Sequence, residues 1–267
     1  PDCYRGVLNP HINTAITFIK SLNCISIDSS LINDINVVLD YNRTKNMEII
    51  EETRACLGLD AKMVKEIVKK NRIASQLLVF FPNNERNVVL KRYRIDKFLV
   101  TNAEYAEFDE NHTFDAEKAN FPVVGINYSK ALKYAEWWNK GIPTEDQWEY
   151  AARGDDGRDF PWGNDWNPEE ERLLPEDEKK CNTSLTGTDG LGKVDEYKAG
   201  VSPFNCYNMA GMVWEWTSTP IDSDSNKKIV KGGSWSLMGI MPWLWYRFSY
   251  DGRKDYYNVG FRCIINE

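Results

Sequence analysis

Residues 155–228 constrain this chain more than any other part of it. The stretch is full of Gly, Asn, Asp and Pro and reads as loop for most of its length. Ordered loops of that extent inside a folded domain need something to hold them, and a bound ion is one solution. The chain has 267 residues, enough for one large or two small domains, and 42% hydrophobic residues, enough for a core.

The flanking segments are periodic but short. Residues 1–75 read as helical: PHINTAITFIKSL, SSLINDINVVLDY and LDAKMVKEIVKKN repeat apolar residues at three- and four-residue spacing, with Ser29 or Ser30 and Asp60 as N-caps. From Ser75 the texture changes. QLLVFF and NVVLKRYRI flank PNNER, which predicts a hairpin near 76–95. TNAEYAEFDE reads as a short helix capped by Thr101. INYSKALKYAEWWNK places Ala131, Leu132, Tyr134, Ala135 and Trp138 on one helical side. TEDQWEYAARG is a helix capped by Thr144 and closed by Gly154. KKIVKGGSW and NVGFRCII read as strands.

Several partners are excluded by composition. The net charge is −7 with no basic block, so nucleic acid is not expected. No apolar run is long enough to span a membrane, and no signal-peptide pattern opens the sequence. Six cysteines are scattered without C-x-x-C spacing, so zinc is not indicated and buried thiols are the expectation, with the redox compartment left open.

Seven blocks then occur in order: RIDKFLVTNAEYAEF, FPVVGINYSKALKYAEWWNKGIPTEDQWEYAARG, FPWGN, CNTSLTGTDGLGKVDEY, GVSPFNCYNMAGMVWEWTST, IVKGGSW and NVGFRC. Together they resemble the formylglycine-generating-enzyme (sulfatase-modifying factor) domain family over about residues 76–267. The resemblance implies an α+β fold: a loop-rich, C-type lectin-like domain with a small antiparallel sheet, preceded here by the helical segment 1–75. In that reading Trp148, Tyr150, Trp214, Trp216 and a buried, paired Arg262 are fold determinants, and Glu145 caps or pairs locally.

The family's chemistry does not carry over with its frame. Its enzymes oxidise a substrate cysteine with copper held by two thiolates shortly after the GGS motif. The matching positions are Leu237 and Pro242, and no Cys lies between Cys206 and Cys263. Neither side chain is the soft ligand that Cu(I) requires. Iron-binding members use histidines, and only His11 and His112 occur, neither in a ligand spacing and both read as surface residues. No catalytic residue is assigned, and no copper is expected.

Calcium is expected as a structural ion. By motif, Asn182, Asp189 and the carbonyls of Thr183 and Leu191 match one family site; Asn208, Glu215 and the carbonyls of Gly211 and Val213 match the other. Amide, carboxylate and backbone oxygen together suit a hard cation. The plainer reading is that these Asn and Asp side chains serve local turns.

The segment KGGSWSLMGIMPWLWYRFSY, with the residues up to 258, lines the catalytic cleft in the family. Here it is aromatic, which suits either core or a recognition surface. Alternating residues would split between the two. The variable proteins of diversity-generating retroelements, which use this fold as a binding scaffold with diversified C-terminal residues, resemble this arrangement. Adenine-directed mutagenesis of asparagine codons cannot produce Met, Trp or Lys, so Met238, Met241, Trp243, Trp245 and Lys254 would be fixed scaffold. The expected ligand-binding residues are Leu237, Gly239, Ile240, Leu244, Tyr246, Phe248, Tyr250, Tyr256 and Tyr257. The expectation is a noncatalytic, receptor-type protein whose partner is a protein or other macromolecule, with the cell surface favoured as its location. The alternatives are a metal-dependent oxidase of the family, or a regulatory or structural module acting through the helices of 1–75.

Overall fold

The computed structural model describes residues 40, 43–58, 85–187, 190–223, 226–236 and 242–267. The predicted caps at Ser29, Ser30 and Asp60, most of the helical segment, and the boundary at 75 lie outside the described residues. Within them, residues 47–57, assigned above to the helical segment, are two strands: β1 (Met47–Ile50) and β2 (Thr53–Leu57). NVVLKRYRI is not one hairpin arm. It breaks at Lys91 and Arg92 into β3 (Arg86–Leu90), which pairs with β2, and β4 (Tyr93–Asp96), which pairs with β1. The break sends the two halves to different sheets, so each half finds its partner in residues 47–57.

Three helices follow, two of them where the caps Thr101 and Thr144 predict them. The Thr101 side chain accepts from the Glu104 amide and the Glu104 carboxylate accepts from the Thr101 amide, starting α1 (Asn102–Phe108) with a reciprocal box. Asn127 caps α2 (Tyr128–Trp137), which buries Ala131, Tyr134 and Ala135. Thr144 and Gln147 make a second box at the start of α3 (Glu145–Arg153). Gly154 ends α3 at φ +69°, a conformation that favours glycine, and its amide donates to the Tyr150 carbonyl. A single turn, α4 (Pro168–Glu171), interrupts the loops.

The remaining strands are β5 (Trp214–Pro220), β6 (Lys227–Lys231), β7 (Phe248–Asp251), β8 (Val259–Gly260) and β9 (Ile264–Asn266). Among the described residues the strands form three small sheets rather than one: β1-β4-β9, β2-β3 and β7-β6-β5-β8. In the last, β5 and β8 run parallel, because the chain returns to β5 through the long excursion over 221–258. The fold is α+β with few helices and small sheets.

β5 is central and buried on both faces. Trp214 and Trp216 share one face with Val230, Phe261 and Tyr134 in the main core. Glu215 and Thr217 point the other way and are equally buried. Trp148 of α3 fills a second core with Tyr93, Ile95, Ile50 and Leu57, which ties β1 and β2 into the domain. Cys181, Cys206 and Cys263 are buried thiols, whereas Cys56 is exposed.

Charge is buried beside this core. Glu149 accepts from the Gly58 amide (2.7 Å), Arg153 (3.0 Å), Arg86 (3.1 Å) and Lys231 (3.1 Å). Burial alone would push its carboxyl up; the three cations and the amide outweigh that and hold it at about 2. Glu145 also pairs, but not locally as expected: its carboxylate meets Arg247 at 2.8 Å. Because the folded value lies below the ordinary value of 4.5, Glu149 contributes its full stabilisation above pH 4.5 and loses it as pH falls toward 2. Glu149→Gln is therefore expected to cost about 3–5 kcal/mol at neutral pH. Denaturant titrations of both proteins should show that difference shrinking below pH 4.5; a difference constant down to pH 2 would contradict the assignment.

Candidate recognition face and cation loops

The C-terminal aromatics divide sharply between inside and outside. The chain from Pro242 to Tyr246 is not a strand, so the alternation expected of it does not occur and consecutive side chains are buried. Two predicted ligand-binding residues are thereby corrected to core. Leu244 is fully buried in the second core, with its amide donating to the Asp159 carbonyl at 2.9 Å. Tyr246 packs on Trp214, and burial pushes its phenol up to about 12. Trp243 and Trp245 stack at 4.9 Å, and Trp245 donates to the Asp159 carboxylate at 2.9 Å. Leu237, Gly239 and Ile240 lie outside the described residues.

From Phe248 the chain becomes β7, the edge of its sheet, and the aromatics reach solvent. Phe248 is 40% exposed and Tyr257 66% exposed, while Tyr250 and Tyr256 are half-buried. The rings are continuous: Phe248 meets Tyr250 at 5.1 Å, and Tyr250 meets Tyr256 at 4.1 Å. Beneath them, Trp214 contacts Phe248 and Trp216 contacts both Tyr250 and Tyr256. Tyr257 leans on Trp235 at 6.3 Å. The face is thus where the main core runs out into water. Two contributors were missed from sequence. Lys228 pairs across from Tyr250 and sits 4.8 Å over the ring of Tyr128, which itself flanks Trp216. KKIVK shows a strand, but nothing in it shows that β7 is its neighbour.

The cation loops lead into the start of β5, where the Trp235 amide donates to the Met212 carbonyl. Asn182 is fully buried; its amide nitrogen donates to the Gly190 carbonyl at 2.9 Å, and its side-chain oxygen has no partner among the described residues. Asn208, at φ +56°, repeats the pattern: nitrogen to the Val194 carbonyl at 2.8 Å, oxygen unpartnered among the described residues. A buried amide oxygen without a donor costs about 1–3 kcal/mol, and a hard cation would satisfy it. The two loops touch. The Met212 amide donates to the Asn182 carbonyl at 2.7 Å, and a Cβ at Gly211 would collide with that same oxygen. Thr183 is buried, and its carbonyl accepts from the Thr186 amide and hydroxyl. Val213 is buried, Leu191 is half-buried, and Asp189 lies outside the described residues. Glu215 differs from the expectation of an available ligand: Arg262 donates to both its oxygens, at 2.7 and 2.8 Å. Its charge is neutralised, which leaves the Asn208 loop the weaker of the two for a cation. Among the described residues no three His, Cys, Asp or Glu cluster as a metal site. His112 is half-buried, with its Nε2 3.0 Å from the Asn102 amide oxygen.

A family model described as "Sulfatase-modifying factor enzyme 1-like domain" matches residues 67–267. The chain belongs to that family. It is similar to "Inactive C-alpha-formylglycine-generating enzyme 2" of Bos taurus, at 34% identity over 164 residues, covering 55% of this chain and 51% of the relative. It is similar as well to "Formylglycine-generating enzyme" of Mus musculus, at 32% identity over 173 residues, covering 56% and 45%. The chain thus spans about half the length of the curated relatives it matches. Among solved structures, "Treponema denticola variable protein 1" superposes with a TM-score of 0.61 at 16% identity, covering 83% of this chain and 95% of that one. At that identity the likeness shows the shared lectin-like fold.

If the orphaned amide oxygens of this sulfatase-modifying-factor-like domain serve Ca²⁺, added calcium will stabilise it by RT ln(1 + [L]/Kd), about 2.7 kcal/mol at a hundredfold excess over Kd. Melting curves with EDTA and with Ca²⁺ should separate, and Asn182→Leu should collapse the separation. Identical curves would return both asparagines to plain turn formers.

Proposed function

We propose that this chain is a noncatalytic, receptor-type member of its family that binds a macromolecular ligand through its C-terminal aromatic face. The observation that carries the reading is the exposure of Phe248, at the head of the line of rings Phe248–Tyr250–Tyr256, and of Tyr257 beside it on Trp235. Burying such rings is worth more to the fold than leaving them in water, while interface centres favour aromatic anchors. The absence of thiolates at Leu237 and Pro242 supports it from the chemical side. A curated relative carries the word inactive in its name, and a protein named as variable shares the fold. In this reading the face is the place where a retroelement-diversified protein would vary, and Ca²⁺ braces the loops behind it through Asn182 and Asn208.

The oxidase reading is favoured by the similarity to "Formylglycine-generating enzyme" of Mus musculus. It requires a metal site other than the paired thiolates. No described helix is long and apolar enough to cross a membrane.

Alanine substitution separates face from core. Phe248→Ala and Tyr257→Ala should alter stability by no more than about 1 kcal/mol, whereas Leu244→Ala should cost about 2–5 kcal/mol. The same two variants should lose roughly 2 kcal/mol of affinity for proteins retained by the immobilised wild-type chain from an envelope extract. Retention unchanged by both substitutions would remove the aromatic face as the binding surface.

A further inference from the structure

β7 is an edge strand left with few of the usual protections. In the order β7-β6-β5-β8, β6 lies on one side of it and no described strand lies on the other. Alternate backbone N–H and C=O groups along Phe248–Asp251 therefore face away from the sheet. Edges are ordinarily kept very short or guarded by Lys, Pro or a bulge, and β7, at four residues, has the first of these alone. FSYD carries no Lys or Pro, its pairing with β6 is regular through all four residues, and its single charge, Asp251, is paired with Arg253 at 2.8 Å.

The charge around that edge is opposite to that of the chain. Lys227 lies across from Asp251 and Lys228 across from Tyr250. Lys254 follows on the exposed turn after β7. Among the described residues neither Lys227 nor Lys254 enters an ion pair. Two acids nearby are engaged, Asp251 by Arg253 and Asp255 by Lys130 at 3.2 Å, while Asp222 stands on the turn before β6, next to Ile221, whose amide donates to the Lys227 carbonyl. A chain of net charge −7 thus presents unpaired ammonium groups around an open strand edge lined by Phe248 and Tyr250.

We infer that the partner docks an acidic, extended peptide segment on this edge, adding a strand beside β7. The inference rests on the recognition face proposed above and names the chemistry of its ligand. Main-chain hydrogen bonds to the outer groups of β7 supply the pairing. Alternate apolar side chains of the partner lie on Phe248 and Tyr250, and its carboxylates meet Lys227 and Lys254. Four residues of β7 set the length of the paired segment.

Selection of random dodecapeptides by phage display on the immobilised full chain tests this, with affinities read by fluorescence anisotropy. Peptides rich in Asp and Glu, alternating with aromatic or β-branched residues, are expected. Their affinity should fall about tenfold in Lys227→Glu/Lys254→Glu and with added salt. It should be lost when alternate peptide amides are N-methylated, a change that leaves the protein untouched. Peptides insensitive to N-methylation but lost in Phe248→Ala would overturn strand addition and leave the face standing. Peptides insensitive to Phe248→Ala would overturn both. Selection without acidic enrichment, or of nothing, would overturn the inference. So would concentration-dependent self-association abolished by Lys254→Glu, since the edge would then belong to a second copy.

Discussion

The buried pair between Arg262 and Glu215 is the interaction on which the rest of the structure depends. Arg262 is fully buried and spends its donors on five acceptors: both oxygens of Glu215 and the carbonyls of Asp96, Lys97 and Tyr207. Those acceptors come from the central strand β5, the exit of β4 and the loop preceding β5. Burial alone would lower the guanidinium's pKa, and the carboxylate more than reverses that. A buried charge left without its partner costs several kcal/mol, so the loops must come to Arg262 for the pair to be tolerated. With few long helices and no large sheet among the described residues, the fold gets its long-range order from satisfied polar groups as much as from apolar packing.

A second buried network carries that order outward to the face. Glu149 gathers Arg86 from β3, Arg153 from its own helix and Lys231 from β6. One turn earlier on α3, Glu145 reaches Arg247. Arg247 is the residue before β7, so the ion pair fixes where the edge strand begins. Phe248 is then held half in the core, on Trp214, and half in water. The connection joins a buried carboxylate, Glu145, to a half-buried guanidinium, Arg247, at the foot of the aromatic face.

Much of this was legible in the sequence, and the failures share a cause. Thr101, Thr144 and Gly154 act within a few residues of themselves, so their roles as caps could be read directly. Trp214 and Trp216 share a face because strand period is local, and Arg262 is buried and paired as the motif implied. Glu145 was misjudged because its partner lies about a hundred residues away. Leu244 and Tyr246 were misjudged because alternation was applied to a segment that is turn rather than strand. Residues 47–57 were read with their helical surroundings, although β-branched and alternating side chains in MEII and TRACL find their partners only in β3 and β4. The two asparagines were expected as ligands by motif, and their side-chain oxygens are buried; that Glu215 is claimed by Arg262 follows only from the packing.

The account holds that a family frame has been kept while its thiolate chemistry is absent. A Cu(I) titration with a competing chelator, coupled to oxidation of a cysteine-containing peptide, addresses that claim most directly. The account predicts no stoichiometric copper binding and no conversion of the peptide cysteine above the protein-free rate. One equivalent of tightly bound Cu(I) with turnover would contradict it and return the chain to the enzymes of its family.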